Sequence, residues 1–156
     1  LRRGEIDGFV VGEPEANKSI TLGVGRMAAI SPEIWKGHMD HVLLVTDRFI
    51  NEEPDKVRKL VGALLKAGRF IESSPAEAAV LGEDYTGSSA KDFEAVLTTP
   101  PDWIDYGDMR PTERDFEDFS AKLVEMGLWK EMPRSVSVFF DGRFMEKTAA
   151  IASDTE

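Results

Sequence analysis

The four residues Val42-Leu43-Leu44-Val45 form a continuous apolar run with polar residues on either side. Its length and its β-branched ends predict a short central strand that is buried on both faces of a sheet. Residues 6–11 and 26–30 predict two further short strands, and residues 136–140, which follow Pro133, fit either a strand or an extended linker. A sheet buried in this way has to be covered by helices, so the rest of the chain must supply them.

Helical patterns alternate with these apolar segments. The clearest runs from Pro54 to Ile71, where apolar residues recur at three- and four-residue spacing on one face. Shorter helices are predicted at residues 14–22, 31–35, 74–82, 88–97, 112–126 and 142–150, several of them opened by a capping residue or a proline. This alternation predicts an α/β fold, with a sheet flanked by helices in one domain over residues 1–150 and a frayed tail at 151–156.

Composition excludes several classes of function. The chain has 156 residues, a formal net charge of −10 and no cysteine. A surface this acidic does not favour a nucleic-acid partner, because phosphate binding needs positive charge. The lack of cysteine removes disulfides, thiolate metal sites and cysteine nucleophiles. The sequence also has no Gly-x-Ser-x-Gly elbow, P-loop or His-Glu-x-x-His motif, so we predict a protein that is not an enzyme and assign it no cofactor or metal.

Glu13 is the first candidate site residue, since it follows the predicted strand at residues 6–11 and precedes Pro14. Ligands in open α/β sheets bind outside the carboxyl ends of strands, so a carboxylate in this position is placed to contact a polar solute. The alternative is that Glu13 caps a helix in which Pro14 takes the first position. On these residues alone the helix cap is the simpler interpretation.

Trp35, His38 and His41 are the other candidates, in the loop before the apolar run at Val42–Val45. Loops that feed a central strand often carry ligand contacts. His38 and His41 flank Asp40 and could bind a metal with a further ligand, but a polar loop is the simpler interpretation of this pair. We expect all three residues to share one cleft with Glu13.

Four segments, taken in order, resemble the C-terminal portion of bacterial ABC-transporter solute-binding proteins of the nitrate/sulfonate/taurine/bicarbonate group, which includes thiamine-pyrimidine receptors. The segments are Gly4–Phe9 leading into Glu13-Pro14, Ile34–His38, Asp47–Ile50 with Glu53-Pro54, and Met126–Leu128 followed by Asp141–Phe144. The resemblance covers about residues 4–148. Two departures stand out: Gly12 replaces a usual aromatic residue, and Met39-Asp40 replace small residues, so the identity of the solute is not carried over.

This resemblance implies a partial type II periplasmic-binding-protein-like lobe in a receptor whose solute sits between two α/β lobes. It also implies a periplasmic or otherwise extracytoplasmic location, with a lipid anchor as one option, and a membrane permease as partner. The solute would be small and polar or anionic, such as nitrate, a sulfonate, taurine or a thiamine precursor. Glu13 stands where such proteins often place an acidic ligand or hinge residue. The lobe is expected to be truncated, and a truncated lobe would tend to form a homodimer.

Two other functions use the same resemblance. The fold could serve as the ligand-sensing domain of a signalling receptor, which the sequence upstream of Leu1 would reveal. It could also belong to relatives that synthesise a pyrimidine precursor. Those enzymes carry active sites rich in cysteine and histidine, and a chain with no cysteine and two histidines does not favour that alternative.

Overall fold

The computed structural model describes residues 1–101 and 103–145 as helices joined by extended segments. In these residues the helices are α1 (Glu15–Thr21), α2 (Ser31–Ile34), α3 (Asp47–Glu52), α4 (Pro54–Ser73), α5 (Pro75–Thr86), α6 (Ala90–Thr98) and α7 (Glu113–Glu125), followed by 3-10 helices at Val136–Val138 and Gly142–Phe144. In this part of the chain no helix is long and apolar enough to cross a bilayer.

The predicted α/β fold is wrong, because residues 1–101 and 103–145 contain no strand and no sheet. The segments at 6–11, 26–30 and 42–46 have no regular secondary structure, and the side chains of Val10 and Leu44 are 103% and 87% exposed. A β-strand is held by hydrogen bonds to a neighbouring strand. An apolar run shows that a segment suits a sheet, but it does not supply the strand with which that segment would pair. The segment at 136–140 forms neither of its predicted structures, since it begins with a 3-10 helix.

The predicted helices are mostly present. Helices α1, α2, α4, α6 and α7 lie where the sequence placed them, and α5 continues four residues beyond its predicted end at Gly82. Helix α3 was not predicted, although the Thr46 side chain caps it by accepting a hydrogen bond from the Phe49 backbone N–H at 3.2 Å. The predicted helix at 142–150 begins as a 3-10 helix at Gly142–Phe144. Its remainder from residue 146 and the predicted tail lie outside the described residues.

The chain divides into two compact units, each of which combines two stretches of sequence. The first unit contains residues 1–36 and 68–108, and the second contains residues 37–67 and those from Met109 onward. The division falls within α4.

In the first unit α6 packs against both α5 and α1. The Asn17 side chain donates a hydrogen bond to the Asp92 carbonyl oxygen at 3.3 Å, and the Thr21 hydroxyl donates to the Asp92 carboxylate at 3.1 Å, which together join α1 to α6. The Trp103 indole N–H donates to the Val96 carbonyl oxygen at 3.0 Å, so the segment after α6 folds back against that helix.

The contact between α5 and α6 depends on small residues. Ala79 is completely buried, and a Cβ atom added to Gly82 would collide with the Phe93 ring. Helix α5 ends at Gly87, whose φ of +62° suits glycine and reverses the chain toward α6. Ser89 then caps α6 by accepting a hydrogen bond from the Asp92 backbone N–H at 3.2 Å.

Replacing Gly82 with alanine is expected to destabilise the chain even though alanine is the better helix former. Overpacking against Phe93 costs about 1–3 kcal/mol, and the gain in helix propensity returns about 1 kcal/mol. We therefore expect a net loss of about 1 kcal/mol in the free energy of unfolding, measured by urea denaturation. Leu81→Ala on the exposed face of the same helix is the control and should change this value by less than about 0.5 kcal/mol. A Gly82→Ala variant more stable than wild type would contradict the tight contact.

Aromatic side chains order the second unit. The ring of Phe116 on α7 lies 5.7 Å from that of Phe139 and 4.8 Å from that of Phe140, between centroids. Trp129 lies edge-on to Phe139 at 6.3 Å. Such tilted arrangements are the favoured ones for aromatic pairs. They hold the segment around the 3-10 helix Val136–Val138 against α7.

Asp141 and Arg143 form an ion pair at the start of the second 3-10 helix. The Arg143 side chain donates from Nη2 to Asp141 Oδ2 at 2.6 Å and from Nε to Oδ1 at 2.9 Å. These hydrogen bonds lower the pKa of Asp141 below its usual range, with a further hydrogen bond from the Arg143 backbone N–H acting in the same direction. The pair therefore favours the charged carboxylate in the folded chain.

The stabilising effect of this pair should depend on pH. Because the pKa of Asp141 is lowered on folding, its contribution is present above the unfolded pKa and disappears as pH falls through the folded pKa. Arg143 is largely exposed, so Asp141→Asn should cost no more than about 1 kcal/mol at pH 7. The difference from wild type should shrink as pH falls below about 4. Urea denaturation at pH 7, 4 and 3 measures it, and a difference that stays constant with pH would show that the ion pair is not its source.

Candidate functional site

Glu13 lies at the start of α1, next to Pro14, to which it is joined by a cis peptide bond. Its carboxylate Oε2 accepts a hydrogen bond from the Asn17 backbone N–H at 2.9 Å. The first N–H groups of a helix have no partner within the helix, and a nearby carboxylate satisfies one of them. Glu13 therefore satisfies a backbone N–H at the start of α1, as the helix-cap alternative expects, although Pro14 occupies the N-cap position and not the first position of the helix. A contact with solute is not tested by this geometry and stays a prediction.

Trp35 follows the last residue of α2. Its backbone N–H donates to the Ser31 carbonyl oxygen at 2.8 Å, and its side chain is half-buried. Gly37 comes two residues later with a φ of +71°, a left-handed conformation that favours glycine. The loop between Trp35 and His38 therefore turns at Gly37.

The two histidines differ in their surroundings. His38 is half-buried, whereas His41 is exposed and its Nδ1 lies 3.0 Å from the Asp40 carboxylate. A neighbouring carboxylate is the usual partner that fixes the orientation of an imidazole. Within residues 1–101 and 103–145, no group of three His, Cys, Asp or Glu side chains is arranged to hold a metal ion.

The four candidate residues are divided between the two units. Glu13 and Trp35 belong to the first unit, and His38 and His41 belong to the second. Glu13 contacts Asn17 in the first unit, and His41 contacts Asp40 in the second. The expectation that the four residues share one cleft stays a prediction, as does their role as ligand-binding residues.

A family model described as the NMT1-like family matches residues 1–83, which is more than half of the chain. The chain therefore belongs to the NMT1-like family. This match, together with the relatives below, confirms the resemblance found in the sequence, to ABC-transporter solute-binding proteins of the nitrate/sulfonate/taurine type. No solved structure shows a significant match to the chain.

Three relatives show the range of similar proteins. The chain is 32% identical over 140 residues to a nitrate import ATP-binding protein of Synechocystis, covering 83% of this chain and 20% of that protein. It is 38% identical over 72 residues to a bicarbonate transport ATP-binding protein of Synechococcus elongatus, covering 46% of this chain and 11% of that protein. It is 27% identical over 114 residues to a nitrate/nitrite binding protein of Nostoc, covering 70% of this chain and 25% of that protein. The chain thus spans a quarter or less of each relative.

Proposed function

We propose that the chain is part of the extracytoplasmic solute-binding component of an ABC importer for a small oxyanion such as nitrate or bicarbonate. The observation that carries the proposal is the family match over residues 1–83, combined with similarity to nitrate/nitrite binding proteins of Nostoc and Synechococcus elongatus. The partners under this proposal are the membrane permease of the importer and, through it, an ATPase. The relatives are transport proteins, which favours binding and delivery of a solute over a catalysed reaction.

Both the ATP-binding relatives and the nitrate/nitrite binding relatives support a solute-binding role for the segment of this chain that they have in common. The Synechocystis ATP-binding protein covers 83% of this chain and the Nostoc binding protein covers 70%, so the two matches overlap over more than half of it. The chain has no Gly-x-x-x-x-Gly-Lys-Ser/Thr motif, which nucleotide binding by a P-loop requires. A segment common to an ATP-binding protein and a solute-binding protein, yet without a phosphate-binding loop, fits solute recognition in both.

A second candidate function follows from the same comparison. The chain could be a solute-sensing module attached to an importer ATPase, where binding of the solute would regulate transport. The similarity to two nitrate import ATP-binding proteins and to bicarbonate transport ATP-binding proteins favours this candidate. Cell fractionation discriminates the two, because a receptor is recovered outside the cytoplasmic membrane and a sensing module is recovered with the ATPase.

Isothermal titration calorimetry tests the proposed binding. We expect nitrate or bicarbonate to bind, while chloride, a spherical anion of the same charge, gives no heat beyond dilution. Planar oxyanions differ from chloride in the hydrogen-bond geometry they offer, so this pair separates recognition from general attraction of anions. The titrations should use both the chain and the gene product that carries it. If neither bound nitrate or bicarbonate, the proposed oxyanion binding would be refuted.

A further inference from the structure

Asn17 connects the Glu13 carboxylate to helix α6. Its backbone N–H donates to Glu13 Oε2 at 2.9 Å at the start of α1, and its side-chain amide donates to the Asp92 carbonyl oxygen at 3.3 Å. The first hydrogen bond is local, whereas the second joins α1 to a distant part of the chain within the same unit. The position of the carboxylate is therefore linked to the way in which α1 lies on α6.

Asp92 also holds α1 through its side chain. Its Oδ1 accepts a hydrogen bond from the Thr21 hydroxyl at 3.1 Å, and its Oδ2 accepts one from the Ser89 hydroxyl at 2.7 Å, at the cap of α6. Asn17 and Thr21 lie four residues apart and are therefore neighbours on the surface of α1. These two side chains thus bring one face of α1 to Asp92.

Helix α1 depends on these polar contacts for its orientation. It has seven residues, none of them buried, so apolar packing contributes little to its position. A helix this short is marginal on its own, and most helices are held by tertiary packing. The hydrogen bonds from Asn17 and Thr21 to Asp92 supply part of what packing supplies elsewhere.

The Glu13 carboxylate has one oxygen that the helix does not use. Oε2 accepts the hydrogen bond from Asn17, and among residues 1–101 and 103–145 no group donates to Oε1. A carboxylate accepts through both of its oxygens. Oε1 can therefore accept a hydrogen bond from a solute while Oε2 keeps its contact with α1.

We propose that Asn17 is a positioning residue for solute binding, which sets the direction of Glu13 Oε1 through its side-chain contact with Asp92. The inference rests on the proposed function and on the predicted contact between Glu13 and the solute. A binding group has to be held within about 0.5 Å of its productive geometry by the residues around it. The solute that detects this role is one with an O–H group, since only such a group donates to the carboxylate. Bicarbonate has one and nitrate has none.

Calorimetric titration of the gene product that carries the chain, with bicarbonate and with nitrate, tests the proposal. Asn17→Ala removes the contact with Asp92 but keeps the backbone N–H that Glu13 accepts, and alanine favours the helix. We expect it to raise the Kd for bicarbonate about threefold to tenfold, the effect of losing one hydrogen bond. Thr21→Val should act in the same direction, and neither variant should change the Kd for nitrate. The matched control is Asn51→Ala, which removes the same side chain from an exposed position on α3.

A double-mutant cycle separates positioning from a general effect on the fold. If Asn17 acts through the Glu13 carboxylate, Asn17→Ala should raise the Kd for bicarbonate clearly less in a Glu13→Gln background than it does in the wild type. A purely structural role of Asn17 would weaken binding to the same extent in both backgrounds and for both anions. Far-UV circular dichroism shows whether each variant folds, and Thr21→Val, at an exposed position, decides the outcome if Asn17→Ala does not.

The contrary outcomes distinguish this proposal from the proposed function. Equal affinity of wild type and Asn17→Ala for bicarbonate would overturn the positioning role, as would equal losses for bicarbonate and nitrate or a loss unchanged in the Glu13→Gln background. Wild type that bound nitrate but not bicarbonate would also overturn it and would leave oxyanion binding in place. Wild type that bound neither anion would refute the proposed function and the positioning role together.

Discussion

Replacing Phe144 with alanine is expected to lower the free energy of unfolding by about 3–5 kcal/mol, the range for removing a buried phenyl ring. Phe144 is 6% exposed, and the guanidinium carbons of Arg58 and Arg143 each lie 5.6 Å from its ring centroid. The ring therefore combines apolar burial with two cation–π contacts. Loss of the ring would also leave the guanidinium of Arg58 without the aromatic face that it covers.

The position of Arg58 makes this ring more important than its burial alone suggests. Arg58 Nη1 is buried and has no hydrogen-bond partner in the described residues. A buried charged donor without an acceptor is unfavourable, and the negative face of a phenyl ring offsets part of that cost. Phe144→Leu should separate the two contributions, because it keeps most of the apolar volume and removes the π face. We expect Phe144→Leu to lower the free energy of unfolding by less than Phe144→Ala does, but by more than the roughly 1.5 kcal/mol that bounds volume-conserving apolar substitutions.

Urea denaturation measures both variants, with Phe139→Ala as the control. Phe139 is 44% exposed and makes aromatic contacts, and within residues 1–101 and 103–145 it has no cation–π partner. Its replacement should cost clearly less than that of Phe144. If Phe144→Ala and Phe139→Ala lowered the free energy of unfolding equally, neither the burial of Phe144 nor its contacts with the two arginines would add to stability. A loss below about 1 kcal/mol for Phe144→Ala would show that this ring is not part of the core.

The helices were predictable because their signals are local. Ser89 and the acid three residues later, Asp92, mark the start of α6, and Thr112 with Asp115 marks the start of α7 through a reciprocal capping box. Gly87 follows the last residue of α5 and takes a left-handed conformation with a φ of +62°, which is also a local signal for the end of a helix. The missed helix α3 has the same kind of signal in Thr46, but its six residues lie before Pro54, where the predicted long helix begins, and are too few to show a clear apolar periodicity.

The strands could not be predicted in the same way, because a strand depends on a partner elsewhere in the chain. Val42–Val45 has the composition of a central strand, yet Val42, Leu43 and Leu44 are exposed and unpaired. Nothing in those residues reports whether a neighbouring strand exists. The predicted end of α5 at Gly82 is also wrong. Glycine often ends a helix, which favours a stop at Gly82, but here it lies inside α5, where it contacts Phe93 of α6.

The candidate site shows the same limit. A sequence indicates that Glu13 precedes a helix and that Trp35, His38 and His41 share a loop region, and the structure agrees with both statements. Whether side chains from distant segments meet around a solute depends on tertiary packing, which local patterns do not specify. The hydrogen bond from the Asn17 backbone N–H to Glu13 also shows why a glutamate at this position is compatible with both a helix cap and a solute contact. A carboxylate at a helix start accepts N–H groups from the backbone and from a ligand equally well.

Replacing Glu13 with glutamine discriminates those two roles, with an expected loss of roughly 1.5–3 kcal/mol for a solute that donates a hydrogen bond to the carboxylate. This range corresponds to a Kd about 10- to 150-fold higher. Bicarbonate carries an O–H group that can donate to Glu13, whereas nitrate has no proton to donate. If Glu13 contacts the solute, the variant should therefore bind bicarbonate more weakly. It should bind nitrate equally or more tightly, because a negative charge near an anion has been removed.

The glutamine variant is suited to this test because its amide oxygen can still accept the hydrogen bond from Asn17, so α1 keeps its cap. We expect the free energy of unfolding to change by less than about 1 kcal/mol. Glu15→Gln is the matched control, since it removes the same charge from the next acidic residue, an exposed one in the first turn of α1. Calorimetry with bicarbonate and nitrate on the three proteins gives the result. If wild type, Glu13→Gln and Glu15→Gln bound both anions with the same affinity, the carboxylate of Glu13 would serve only to cap the helix.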